Sequence, residues 1–282
     1  MTPRGRAVIG PALLFCPADR GERYAKALAA ADSVIIDLED AVAPSDKASA
    51  RVQLIAAAAA GGKLDPARVI VRINPVGTLD HELDLVAVRQ TPYRTVMLAK
   101  TEGAAQLEAL GAEGFSVVAL CETAAGVARA NEIAAHPEVV AMMWGAEDLA
   151  ASMGGKGSRH EPTGGRATGA YRDFARYARS RVLIEAKAAG KLAIDSVFLN
   201  IPDAEGLQQE ASDASMSGFD ATACIHPSQA AVIRGAYAAT PEEVAWAGRV
   251  LAEAEHQPGV FQFEGKMVDE PVLRQARKML GG

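Results

Sequence analysis

The chain has 282 residues, of which 49% are apolar and 5% aromatic, and its formal net charge is −6. It has no basic run and no alternation of arginine with aromatic residues, which argues against a nucleic-acid partner. No stretch of 18 apolar residues occurs, which argues against a membrane span. Three cysteines, Cys16, Cys121 and Cys224, lie far apart in apolar runs. Such cysteines are typical of buried thiols in a reducing compartment, so we expect a cytoplasmic protein without disulfides.

Eight short apolar runs alternate with Ala-rich segments along the chain. Apolar runs of this length are typical of buried strands, and the longer segments between them are typical of helices. The predicted strands are residues 12–18, 33–38, 68–73, 95–99, 115–120, 139–144, 193–199 and 221–225. The helices predicted to follow them are residues 22–30, 46–60, 79–88, 104–110, 127–135, 171–189, 204–216 and 229–237.

Eight strand–helix units in strict alternation predict a parallel sheet whose two faces are covered. An open doubly wound sheet would show the same alternation, but residues 17–21 lack the glycine-rich turn that usually follows its first strand. We therefore predict an α/β protein with one (β/α)₈ TIM barrel, the catalytic domain, over residues 1–240. Residues 241–282 are predicted to form a C-terminal helical extension or lid segment. Residues 151–169, rich in Gly, Ser and charged residues, are predicted to be a binding loop or lid.

Polar residues cluster at the C-terminal ends of the predicted strands, where the active sites of barrel enzymes lie. They are Asp37, Glu39 and Asp40 at the end of the second strand, Arg72 on the third, Lys100 after the fourth, Glu122 after the fifth, Asp148 after the sixth and His226 after the eighth. Mg²⁺ typically binds one or two protein carboxylates together with water and substrate. We therefore expect Glu122 and Asp148 to bind Mg²⁺.

The remaining residues of this rim suggest supporting roles. Asp37 and Glu39 are expected to hold water molecules of the metal ion. Arg72 is expected to bind a substrate carboxylate, because the planar guanidinium can donate two parallel N–H bonds to it.

Each of these residues also has a purely structural interpretation. A carboxylate that follows a strand often caps the next helix, as Asp46 could. Arg72 could belong to a structural salt bridge, and Lys100 could pair with Glu102. A histidine followed by proline, such as His226, is expected to hydrogen-bond locally. Spacing alone does not decide between these interpretations and a metal site.

The sequence resembles the citrate lyase β-subunit-like family of the HpcH/HpaI aldolase superfamily over nearly its whole length. The stretches that carry the resemblance are LLFCPADRGERYAKAL (13–28), VIIDLEDAVAPSDKASAR (34–51), VRINP (71–75), MLAKTE (97–102), ALCETAAGV (119–127), MMWGAEDLAASMGG (142–155), GFDATACIHPSQ (218–229) and FEGKMVDEPVLRQARKML (263–280). Together these stretches are far more specific than any one of them.

The resemblance implies a Mg²⁺-dependent lyase or aldolase. In this family the residues matching Glu122 and Asp148 bind Mg²⁺, and the residue matching Arg72 binds substrate. Family members cleave or form citryl-, malyl- or citramalyl-CoA, which yields an acyl-CoA and a 2-oxo acid. They form trimers or hexamers, and related lyases place the aspartate that matches Asp269 over the active site of a neighbouring subunit. The resemblance thus implies that Asp269 carries a proton to or from the acyl-CoA.

Two further expectations concern the tail and the substrate. Phe261, Phe263 and Met267 are predicted to give the tail an apolar face that packs on an adjacent subunit of a homo-oligomer. CoA phosphates are expected to meet cations at the rim, namely Arg20, Arg23 and Lys26. Two alternatives remain open: a class II aldolase that acts on free 2-oxo acids, and a subunit that works only within a lyase complex.

Overall fold

The computed structural model describes residues 10–60, 64–165, 167–257 and 259–281. Its eight parallel strands close into a barrel in which β1 pairs with β8. The predicted (β/α)₈ barrel is thereby confirmed. The strands are β1 (Ala12–Pro17), β2 (Ser33–Asp37), β3 (Val69–Ile73), β4 (Thr95–Leu98), β5 (Ser116–Cys121), β6 (Val139–Trp144), β7 (Leu192–Asp195) and β8 (Ala221–Cys224).

Helices surround the barrel, and the chain contacts divide the protein into residues 1–237 and residues 238–282, which are described separately. The first unit contains α1 (Tyr24–Ala30), α2 (Lys47–Ala59), α3 (Leu79–Arg89), α4 (Ala105–Ala112), α5 (Ala124–Ala128), α6 (Ala130–Ala135), α7 (Ala146–Ser152), α8 (Asp173–Ala188), α9 (Ala204–Ser217) and α10 (Pro227–Tyr237). None of the helices in the described part of the chain is long and apolar enough to cross a membrane.

Alternate residues of each strand enter two different cores. One side chain packs outward against the helices and the next points into the barrel, because successive side chains of a strand face opposite ways. Leu14, for example, belongs to the helix-facing core and Leu13 to the barrel interior. The interior is filled by Leu13, Ile35, Ile70, Met97, Val118, Leu120, Ala141, Met143, Ile194, Ala221 and Ala223. The packed interior leaves the C-terminal ends of the strands as the place where polar groups can gather. Cys16, Cys121 and Cys224 are all buried and free, as expected.

The helix predicted over residues 127–135 is divided into α5 and α6, and two other elements near the site differ from the sequence predictions. The seventh strand was predicted to run to residue 199, but β7 ends at Asp195, whose carboxylate accepts hydrogen bonds from Trp144 and Arg179. The short helix α7 was not predicted, and it lies mostly before the segment predicted as a loop, overlapping only residues 151 and 152. Beyond α7 the segment does form an irregular connection, in which an isolated bridge joins Arg159 to Tyr171.

The second unit has its own small core. It consists of α11 (Pro241–Ala254), an antiparallel hairpin of β9 (Phe261–Phe263) and β10 (Lys266–Val268), and α12 (Glu270–Met279). Phe261 is only 7% exposed, because it packs with Val250, Val268 and Leu273, and Phe263 packs against the same cluster. Met267 is 68% exposed. The two phenylalanines are therefore used within the unit and do not form the predicted exposed face. Of the three residues only Met267 is exposed, and its packing on an adjacent subunit stays a prediction.

Candidate active site

A cavity of about 340 Å³ opens at the C-terminal ends of the barrel strands. Its apolar walls come from Phe15, Leu120, Met143, Val197, Leu199 and Ile225. Its polar lining comes from Asp37, Asp40, Arg72, Glu122, Glu147, Asp148, Arg159, Tyr171 and Ser196. This position and this mixture of apolar walls with a few polar groups are typical of small-molecule sites in barrels.

Glu122 follows β5 directly and is only 2% exposed. Its Oε1 accepts a hydrogen bond from the backbone N–H of Lys100 at 3.0 Å. Its other oxygen lies against Gly145, the residue before α7. A Cβ added to Gly145 would lie 2.8 Å from both Cβ and Oε2 of Glu122. The absence of a side chain at Gly145 therefore lets the carboxylate lie between the ends of β4 and β6.

Asp148 lies in the first turn of α7 and faces the same cavity. Burial, and then the nearby negative charge of Asp148, raise the pKa of Glu122 to about 8, while Arg72 and Lys100 act in the opposite direction. Glu122 and Asp148 thus share one site, and the positive charge of Arg72 and Lys100 is too small to offset the cost of ionising the buried Glu122. A bound divalent cation would remove this electrostatic cost.

Arg72 is buried at the end of β3, where Asp37 on β2 pairs with it in the strand register. Its Nε donates to Oδ1 of Asp37 at 2.7 Å and its Nη2 donates to Oδ2 at 2.6 Å. Nη1 lies 3.0 Å from Oε2 of Glu39. Burial alone would lower the pKa of Arg72, but these two carboxylates more than offset it and raise the pKa. The bidentate edge expected to bind substrate is therefore occupied by Asp37, and a ligand at Nη1 would have to displace Glu39.

Lys100 connects the two groups of carboxylates. Its Nζ donates to Glu39 and lies 3.4 Å from both Asp40 Oδ2 and Asp148 Oδ1. Burial works against the charged form, but Glu39, Glu122 and Asp148 raise the pKa of this ammonium. Lys100 therefore pairs across the cavity rim, and the suggested pairing with Glu102 is wrong.

The charges of the site fit a magnesium ion. Asp37, Glu39, Glu122 and Asp148, when ionised, carry two more charges than Arg72 and Lys100 offset. Among the described residues no group of three or more His, Cys, Asp or Glu side chains is placed to hold a metal ion. One or two carboxylates completed by water and substrate suit Mg²⁺.

The structure brings five of the six predicted site residues together. Asp37, Arg72, Glu122 and Asp148 line the cavity, and Glu39 lies beside it. Asp37 and Glu39 bind the cations Arg72 and Lys100 directly. The sixth, Asp269, belongs to the second unit. It precedes α12 and accepts a long hydrogen bond of 3.5 Å from the backbone N–H of Val272.

A wall of the cavity was missed by sequence reasoning. The guanidinium of Arg159 lies 3.6 Å from the ring centroid of Tyr171 and binds both carboxylate oxygens of Glu210, at 2.6 and 2.8 Å. Tyr171 in turn packs edge-on against Trp144 at the end of β6. Arg159, a bulky residue inside the glycine-rich segment 151–169, and Tyr171 just after it were a signal in the sequence. Their partner lies on α9, and no spacing rule connects it to them.

Comparison with known proteins agrees with this geometry. Residues 12–227 match the family model described as HpcH/HpaI aldolase/citrate lyase. The chain is 55% identical over 271 residues to a citrate lyase subunit beta-like protein of Mycobacterium tuberculosis, covering 96% of this chain and 94% of that protein. It is 33% identical to a (3S)-malyl-CoA thioesterase of Cereibacter sphaeroides, with 95% and 92% covered. It is 30% identical to the mitochondrial citramalyl-CoA lyase of Rattus norvegicus, with 88% and 78% covered.

The fold also matches a solved structure. The crystal structure of the protein CitE from Mycobacterium tuberculosis, in complex with magnesium, acetoacetate and coenzyme A, superposes with a TM-score of 0.90 at 54% identity. The match covers 98% of each chain. The likeness therefore extends over both units of the present chain.

Proposed function

Because the chain belongs to the HpcH/HpaI aldolase/citrate lyase family, we propose that it is a Mg²⁺-dependent carbon–carbon lyase acting on small acyl-CoA esters of the citryl-, malyl- or citramalyl-CoA type. The products would be an acyl-CoA and a 2-oxo acid. The observation that carries the proposal is the buried carboxylate of Glu122, held opposite Asp148 with its pKa raised to about 8, beside an apolar-walled cavity.

Glu122 and Asp148 would hold the magnesium ion. When bound, Mg²⁺ would supply Lewis-acid stabilisation of the negative charge on the substrate hydroxyl oxygen, which becomes the carbonyl oxygen of the 2-oxo acid. The relative CitE was crystallised with magnesium, acetoacetate and coenzyme A, which supports the same ion and the same classes of ligand here.

Arg72 would bind and orient the substrate carboxylate. Asp37 fixes the plane of the guanidinium through Nε and Nη2, so Nη1 is presented in a defined direction. A substrate carboxylate that reaches Nη1 would compete with Glu39 for it. The role of Asp37 in this proposal is to position Arg72.

The apolar walls would protect the reacting carbon atoms from water. Phe15, Met143 and Val197 line the cavity beside the carboxylates. Exclusion of water strengthens the electrostatic interactions inside the site and prevents premature protonation by solvent. Cleavage removes the proton of the substrate hydroxyl and returns one proton to the departing thioester enolate. A positioned carboxylate that accepts the first proton can supply the second.

Asp269 is the proposed proton carrier, delivered by the tail of a neighbouring subunit in a homo-oligomer, a trimer or hexamer. Its hydrogen bond to Val272 is at the long limit of 3.5 Å, so the carboxylate gives up little when it turns to another partner. Co-expressed Asp269→Asn and Glu122→Ala chains should regain part of the activity that each variant lacks alone. If demonstrably mixed oligomers stay inactive, Asp269 is only the cap of α12.

Two alternatives are separated by substrate tests on the purified chain. An aldolase would cleave free hydroxylated 2-oxo acids, and a subunit dependent on a complex would cleave nothing alone. A lyase of the proposed class releases a 2-oxo acid from citramalyl-CoA or malyl-CoA, and the absorbance of its phenylhydrazone detects the product.

Exposed Arg20 and Arg23 would contact the CoA phosphates. The buried thiols suit the proposed cytoplasmic location.

The direct test of the metal site uses Glu122→Gln and Asp148→Asn. Both replacements keep side-chain shape and remove one charge from the site. Mg²⁺ binding, measured by calorimetry, and acyl-CoA cleavage should both be lost while the circular dichroism spectrum stays unchanged. Wild-type activity in either variant after EDTA treatment and Mg²⁺ addition would refute the assignment.

A further inference from the structure

Lys100 has a backbone conformation that few side chains adopt. Its φ is +51°, in the left-handed region, and among the described non-glycine residues only Glu264 shares a positive φ. Residues other than glycine, asparagine and aspartate rarely adopt this region, and such strain is typically found at functional sites. The strained residue lies at the rim of the cavity, two positions after β4 ends.

The strain has a geometric result. In this conformation the backbone N–H of Lys100 donates to Glu122 Oε1 at 3.0 Å, while the side chain of the same residue turns back across the rim. Its Nζ donates to Glu39 and lies 3.4 Å from Asp148 Oδ1. Lys100 therefore contacts both proposed metal ligands: Glu122 through its backbone N–H and Asp148 through its charged side chain.

The ammonium of Lys100 and a divalent cation are rivals for the same carboxylate. Asp148 forms an ion pair with Lys100 in the described part of the chain. Arg72 directs its guanidinium to Asp37 and Glu39. A second cation placed near Asp148 would be repelled by Lys100 and would share the negative charge that Lys100 already offsets.

We propose that Lys100 is a positioning residue that lowers the affinity of the site for Mg²⁺ alone and makes tight Mg²⁺ binding depend on an anionic substrate. The inference rests on the proposed metal site. The negative charge of a bound 2-oxo acid compensates the repulsion between Lys100 and the ion. Mg²⁺ and the acid therefore strengthen each other's binding by the same factor, because coupling between two ligands is reciprocal.

The test compares Mg²⁺ affinity in Lys100→Met and the wild type by calorimetric titration of the full chain with MgCl₂. Methionine keeps the apolar length of the side chain and removes the charge. We expect Lys100→Met to bind Mg²⁺ at least about tenfold more tightly, as expected for one unit charge a few ångströms away in a partly solvated site. Pyruvate, used as the anionic probe, should strengthen Mg²⁺ binding less in the variant than in the wild type.

Control variants separate the local charge from other effects. Lys187→Met removes a lysine that pairs with Asp220 at the opposite end of the barrel, before β7 and β8 begin, and it should leave Mg²⁺ affinity unchanged. Lys100→Arg keeps the charge and should bind Mg²⁺ like the wild type. Lys100→Gln is the second uncharged variant if the methionine variant fails to fold.

The outcomes distinguish this inference from the proposed function. If the wild type binds no Mg²⁺ either alone or in the presence of pyruvate, the proposed function fails. If the wild type binds Mg²⁺ and the folded uncharged variants bind it equally or less tightly, Lys100 merely supports the structure and the inference is overturned. An equal effect of pyruvate on Mg²⁺ binding in both proteins would overturn the coupling.

Discussion

Gly145→Ala tests whether the position of Glu122 depends on the missing side chain before α7. The new Cβ would lie 2.8 Å from Cβ and Oε2 of Glu122, whereas non-bonded carbon atoms settle at about 3.5–4.0 Å. The φ of Gly145 is −123°, which alanine adopts freely. The substitution therefore acts through this contact and not through backbone strain.

The size of the effect follows from the contact. Glu122 must shift by roughly 0.7 Å or more to restore an ordinary separation, whereas ligand distances in a metal site hold within about 0.2 Å. We expect Mg²⁺ affinity to fall about 10- to 100-fold, the range found when the supports of metal ligands are altered. The free energy of unfolding should fall by about 1–3 kcal/mol, as for other overpacked sites.

Calorimetry with MgCl₂ and chemical denaturation measure the two effects separately. Gly103→Ala is the matched control, because it lies in a neighbouring loop after β4 and a Cβ there meets nothing within 4 Å. It should bind Mg²⁺ like the wild type. If Gly145→Ala binds Mg²⁺ as tightly as this control, the position of Glu122 does not depend on Gly145 and the reasoning is refuted.

Three further predictions follow from the site. Because the pKa of Glu122 is raised to about 8 and Mg²⁺ binds the ionised carboxylate, Mg²⁺ binding at pH 7 should release close to one proton, and above pH 8 this proton release should decline. Calorimetry in buffers of different ionisation enthalpy measures the proton release, and no release at pH 7 would contradict the assignment. Arg72→Lys loses the two-bond contact with Asp37, so the variant should lose about 2–4 kcal/mol of transition-state stabilisation, measured as a fall in kcat/KM. A fall in kcat/KM of less than tenfold, about 1.4 kcal/mol, would mark Arg72 as structural. Glu210→Gln weakens the hold on Arg159, so limited proteolysis should cut the segment after α7 faster and KM should rise; unchanged proteolysis would mean that this pair does not hold the cavity wall.

The barrel could be predicted because its strands are buried on both faces and therefore form continuous apolar runs. The same rule failed at the seventh strand. Residues 196–199 are as apolar as a strand, but Val197 and Leu199 line the cavity instead of continuing the sheet. Hydrophobicity reports burial and does not tell a barrel strand from the wall of a binding site. Helix α7, with seven residues, is too short to show a helical period.

The position of the candidate site could be predicted from the sequence, but the pairing of its side chains could not. The barrel topology places residues that follow the strands at one rim, so Glu122 and Asp148, proposed from spacing and resemblance, line the same cavity. The pairing of Arg72 with Asp37 joins positions 35 apart in the sequence, and it depends on the register between β2 and β3. The partners in the tail were misjudged for the same reason, because Phe261 meets Val250 and Leu273 only after the hairpin and α12 have folded.

The three buried cysteines make the natural chain convenient for labelling. Burial raises the pKa of Cys16 to about 11 and the pKa of Cys121 and Cys224 to about 12, so thiolate is scarce at neutral pH and the sulfur atoms are covered. Maleimide reagents should leave the folded protein unmodified. A single cysteine introduced at exposed position 267 would then take up a spin label alone, without prior removal of native thiols. Distances between such labels would show directly how the tails of separate copies are arranged.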